Sequence, residues 1–123
     1  MMSQATFAQM PQAYKDAFLK INPDTTALHR MYERDVTRMQ HFPEIKEEDI
    51  KAIQAPALII CGDKDVGRPE HAVEMYRSMQ HAQLVILPGG HGDYIGEITT
   101  LKPGQHEYPA LSIIEKFLKE TAQ

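Results

Sequence analysis

The chain has 123 residues, enough for one domain with a real core, and its 42% apolar and 24% charged residues exclude intrinsic disorder. A formal charge of -4, with Lys and Arg scattered along the chain, leaves no basic stripe and excludes nucleic acid as an expected partner. A single cysteine, Cys61, excludes an internal disulfide and agrees with a reducing compartment.

Residues 1–6 combine no basic start with an apolar run, and no apolar stretch is long enough to cross a bilayer. The expected compartment is therefore the cytoplasm, with no membrane partner. From Pro11 the residues Tyr14, Phe18, Leu19 and Ile21 predict a helix that ends at Asn22-Pro23. Asp24 or Thr25 can cap a second helix, where Leu28, Met31, Tyr32, Val36 and Met39 form one apolar stripe. After Phe42-Pro43, the segment Glu47 to Ile53 predicts a short helical turn.

The character changes near Pro56. Ala57-Leu58-Ile59-Ile60-Cys61 is a continuous apolar run between Pro56 and Gly62, the pattern of a strand covered on both faces. Leu84-Val85-Ile86-Leu87, stopped by Pro88-Gly89-Gly90, is a second such run. Between them Pro69 opens a helix with Ala72, Val73, Tyr76 and Met79 on one side, so the three elements predict a βαβ unit with parallel strands. A last helix carries the stripe Leu111, Ile114, Phe117 and Leu118. Two parallel strands alone are marginal, and the sequence supplies no third. Either another chain extends the sheet or the sequence is a piece of a longer one.

Both strands end in loops that carry chemistry. Gly62-Asp63-Lys64-Asp65 follows the first and Gly89-Gly90-His91-Gly92 the second, so both emerge at the same edge of a parallel sheet. Neighbouring strands lie about 5 Å apart, close enough for short loops to join the Asp65 carboxylate to the His91 imidazole. A carboxylate on one ring nitrogen fixes the tautomer and stabilises the imidazolium formed when the other nitrogen takes a proton. Asp63 is the better candidate for a simple turn former. Arg68, Asp93, Tyr94 and Glu97 lie near enough in sequence to touch a substrate, although loop residues of these types are more often only solvated.

The run from Ile53 through Gly62-Asp63-Lys64-Asp65 resembles the α/β-hydrolase segment that ends in the triad acid. Pro69-Glu70-His71-Ala72 resembles the helix after it, and Leu84 through Pro88-Gly89-Gly90-His91-Gly92 resembles the last strand and the triad histidine. The resemblance implies an α/β class and a partial hydrolase fold. Residues 1–52 would be a helical, cap-like or lid-like segment, and residues 53–123 the C-terminal βαβα part of the core. It assigns catalytic roles to Asp65 and His91 in the hydrolysis of ester-type, amide-type or related bonds. It also implies a small-molecule substrate, bound once a nucleophile-bearing segment completes the site.

That nucleophile belongs in a Gly-x-Ser-x-Gly elbow between strand and helix. Here the serines are Ser3, Ser78 and Ser112, none flanked by glycines. The chain is thus expected to be a fragment or truncated product, inactive by itself. The alternative is a non-catalytic module, derived from a hydrolase, that forms a homodimer through its exposed sheet edge or an apolar face. Gly67 also departs from the family, which more often has an apolar residue there. The histidines His29, His41, His71, His81 and His106 form no HxxxH pair, so neither zinc nor another cofactor is expected. The loop from Gly62 to Asp65 can also be read as the metal-binding acidic loop of a phosphatase similar to the haloacid dehalogenase superfamily, a weak reading, because that family also needs an Asp-x-Asp nucleophile motif near its first strand and none is found besides this loop.

Overall fold

The computed structural model describes residues 6–122; Ser3 lies outside them. The chain divides into two compact units, residues 1–44 and residues 45–123.

The first unit is helical. A 3-10 turn, Phe7–Gln9, precedes α1 (Gln12–Ile21) and α2 (Thr25–Gln40). Pro11 stands at the N-cap of α1, and Asn22-Pro23 closes it. Asp24 caps α2, its carboxylate accepting from the backbone N–H groups of Thr26 at 2.8 Å and Ala27 at 3.1 Å. The α2 stripe turns inward at Leu28, 3% exposed and the buried residue of that helix. Phe7 packs on α2, stacked on His29 with ring centroids 3.8 Å apart and edge-on to Tyr32 at 5.5 Å. His29 is therefore held by an aromatic neighbour. Asp24→Ala leaves two N–H groups without their acceptor and is expected to lower the stability of this unit by about 1 kcal/mol, read as a lower urea midpoint.

The second unit is α/β. It contains α3 (Glu47–Lys51), β1 (Ala57–Gly62), α4 (Pro69–Ser78), β2 (Ala82–Leu87) and α5 (Pro109–Thr121). The strands pair in parallel from Ala57 with Ala82 to Gly62 with Leu87, each one or two residues longer than the apolar runs predict. Helix α4 connects them and packs against both; α5 reaches β1, and α3 lies against α4. Helix α3 lies within the second unit.

Burial differs from expectation. Strands covered on both faces should bury their side chains, yet every β1 and β2 side chain stays partly exposed, and Ile86 keeps 41% of its surface. The buried hydrophobic residues of this unit, among those described, are Ala72 and Ala110. A unit of this size normally buries several large aliphatic side chains. The stripe on α5 is also rotated from the expected one: Ala110, Ile113, Ile114 and Phe117 turn inward at helical spacing, whereas Leu111 and Leu118 are 46% and 57% exposed. The described sheet has two strands, and α4 with α5 covers its apolar runs only in part. No described helix is long and apolar enough to cross a membrane.

Candidate active site

The register places the ends of β1 and β2 side by side, because Gly62 pairs with Leu87 and the two loops leave the sheet together. The ladder continues beyond the strands. Asp63 N–H donates to Leu87 O at 2.8 Å and Lys64 N–H donates to Gly89 O at 3.0 Å. The Gly62 backbone runs so close beneath the second loop that a Cβ there would overlap the Gly89 carbonyl oxygen and come within 2.8 Å of Gly90 O. Glycine is required by this approach. Gly89 has φ +122°, and a Cβ on it would also meet Asp93 Oδ2 at 2.9 Å.

This backbone arrangement joins the two side chains that the sequence singles out. His91 Nδ1 lies 2.9 Å from Asp65 Oδ1. The Asp65 side chain is 7% exposed, whereas that of His91 is 68% exposed, so a shielded carboxylate holds the inner nitrogen and the rest of the ring faces outward. An ionised carboxylate can only accept, which makes Nδ1 the protonated nitrogen of a neutral ring and leaves Nε2 as the base. The Asp65 oxygen also takes a long bond, 3.5 Å, from Gly67 N–H. Burial alone would raise the Asp65 pKa. The hydrogen bond from His91, backbone bonds from Gly67 and Val66, and the attraction of the imidazolium together outweigh burial and hold it below the ordinary aspartate value.

A folded pKa below the unfolded one contributes stability that is complete above the unfolded value and lost as pH falls through the folded value. The urea midpoint of the native chain is therefore expected to exceed that of Asp65→Asn above the ordinary aspartate range, and the margin to shrink as pH falls through and below that range. A margin independent of pH would show that the carboxylate has no such partner.

Other groups surround the pair. The Cys61 thiol is pushed up first by burial and then by the charge of Asp65, so it is not an activated thiolate. Burial, then the Asp65 charge, likewise raises the Tyr94 phenol, whose hydroxyl donates to Ile60 O at 3.5 Å. Asp93 and Glu97 turn to their own loop: Asp93 Oδ2 accepts from Gly90 N–H at 2.7 Å, and Glu97 Oε2 takes the N–H and hydroxyl of Thr99. Asp63 Oδ1 accepts from Gly89 N–H at 2.8 Å. Arg68 stands exposed at the N-cap of α4.

Ser78 and Ser112 lie in α4 and α5, and Ser78 is bonded to Glu74 O at 2.9 Å. Neither forms a strand-to-helix elbow. Asp63-Lys64-Asp65 does have Asp-x-Asp spacing after a strand, but its carboxylates are directed to Gly89 N–H and to His91. His71 and Glu74 form one His-x-x-Glu pair on α4, 3.8 Å apart and exposed. Among the described residues no group of three or more His, Cys, Asp or Glu side chains comes together to hold a metal.

Comparison with protein-family models, with curated proteins and with solved structures finds no match. The functional reading accordingly rests on the resemblance and on the geometry of this pair.

Proposed function

We propose that the chain is the cap-like and C-terminal portion of an α/β-hydrolase, in which His91 is the general base and then the general acid, and Asp65 orients it. The observation that carries this reading is the 2.9 Å bond between a shielded carboxylate and an exposed imidazole at the shared end of two parallel strands. During acyl transfer His91 Nε2 would take the proton of an attacking hydroxyl, and Asp65 would stabilise the imidazolium before the proton passes to the leaving group. The attacking hydroxyl comes from a segment outside this sequence. The reading also keeps the cytoplasm as the compartment and an ester, amide or related small molecule as the substrate class.

Two measurements test it. The coding sequence upstream of Met1 should hold an in-frame Gly-x-Ser-x-Gly elbow, and the longer polypeptide should turn over p-nitrophenyl esters. The 123-residue chain alone should show no turnover above its His91→Ala variant. Turnover by the chain alone that His91→Ala abolishes would overturn the proposal.

A second reading, a non-catalytic module that self-associates, is favoured by a specific observation: Leu111 and Leu118 form an exposed apolar stripe on α5, and Ile86 is open on β2. A symmetric homodimer would cover such surfaces. Light scattering behind size exclusion should then give twice the chain mass at micromolar concentration, and a folded monomer would remove this reading.

A further inference from the structure

The acid loop and the histidine loop are joined by more than the pair at their tips. Three consecutive residues of the second loop, Gly89, Gly90 and His91, are each bound by an aspartate. Gly89 N–H goes to Asp63 at 2.8 Å, Gly90 N–H to Asp93 at 2.7 Å, and the His91 ring to Asp65 at 2.9 Å. The first two bonds act on the backbone that carries His91. Asp63 spans from one loop to the other; its own N–H donates to Leu87 O, so it grips the second strand end on both sides of Pro88. Asp93 closes the turn locally, since its N–H also donates to Gly90 O at 3.4 Å, enclosing His91 and Gly92 in a ring.

We infer that Asp63 and Asp93 are positioning residues that fix the His91 ring against Asp65 and thereby set its tautomer. The inference rests on the reading of Asp65 and His91 as an acid–base pair. A carboxylate accepting from a backbone N–H is a charge-assisted bond, shorter and stronger than a neutral one. Two such bonds restrain the backbone that leads into His91. Gly89, at φ +122°, and Gly90 place no side chain beside these carboxylates, so the carboxylates supply the restraint that bulkier residues would give elsewhere. A purely electrostatic role makes a different prediction: it needs the negative charge, whereas positioning needs only an acceptor oxygen, which asparagine retains.

The test is nitrogen-15 NMR of the His91 ring in the full chain, at a pH where the ring is neutral. The native chain is expected to show the Nδ1–H tautomer, and Asp65→Ala to lose that bias. Asp63→Ala and Asp93→Ala are expected to lose most of it as well, with Asp63→Asn and Asp93→Asn restoring it. Alanine variants with the native tautomer would overturn the positioning role and leave the acid–base pair standing. Asparagine variants that behave like alanine would also overturn it, by assigning the effect to charge. A native chain without the Nδ1–H bias removes the pair itself, and this inference with it. Where the alanine variants fail to fold, couplings across the hydrogen bonds, from Gly89 nitrogen to the Asp63 carboxyl carbon and from Gly90 nitrogen to that of Asp93, decide the matter in the native chain. Their absence overturns the proposal.

Discussion

Gly62→Ala is expected to destabilise the second unit by about 1–3 kcal/mol and to separate Asp65 from His91. The added Cβ would overlap the Gly89 carbonyl oxygen and lie 2.8 Å from that of Gly90, and both contacts are backbone, which cannot swing aside as the end of a flexible side chain can. Relief requires the second loop to lift. That movement stretches the bond from Gly89 N–H to Asp63 and the bond from Lys64 N–H to Gly89 O, and it carries His91 away with the loop. Gly67→Ala is the matched control: it lies on the same loop, its φ is not positive, and a Cβ there meets nothing within 4 Å. Urea unfolding of the two variants should therefore show a large fall for Gly62→Ala and none, or a slight gain, for Gly67→Ala. Equal effects would mean that the close approach of the loops does not constrain the fold.

The meeting of Asp65 and His91 was legible in the sequence because it depends on strand direction and loop length alone. Parallel strands put both loop starts on one edge, and the short links from Gly62 to Asp65 and from Pro88 to His91 left little freedom. The work of Asp63 and Asp93 was not legible, although both residues stand beside glycines in plain view. An aspartate after a strand has many N–H groups within reach, and only the register of the two loops selects Gly89 for Asp63 and Gly90 for Asp93.

Helix burial shows the same division. Periodicity announced a helix from Pro109 onward, but with apolar residues at Leu111, Ile113, Ile114, Phe117 and Leu118 it allowed two overlapping stripes. Ala110, tucked against the loop by its N–H bond to Tyr94 O, decides which stripe turns inward. The strands present the opposite case. Their continuous apolar character is that of strands covered on both sides, whereas Ile59, Ile60, Leu84 and Val85 stay partly exposed among the described residues.

Asp65→Asn is expected to separate catalysis from stability most sharply. On the proposed hydrolase reading, in a polypeptide that joins this chain to a nucleophile, kcat should fall about 10⁴-fold with KM little changed, equivalent to about 5.5 kcal/mol of barrier. A hydrogen bond involving a charged group contributes only about 1.5–3 kcal/mol to folding, so the same substitution should leave the protein folded. The difference has a chemical origin. Asparagine can present its amide N–H to Nδ1, which selects the tautomer protonated at Nε2, and that nitrogen then cannot accept the proton of the attacking hydroxyl. The ring stays in place but in the wrong form. A side chain that merely closes a turn would behave otherwise, because an asparagine oxygen accepts from Gly67 N–H as an aspartate oxygen does, and kcat would follow the small change in stability. Steady-state kinetics beside urea unfolding of the one variant therefore tell the two roles apart: a loss of tenfold or less, as a rough boundary, would make Asp65 a turn residue and leave His91 without its orienting acid.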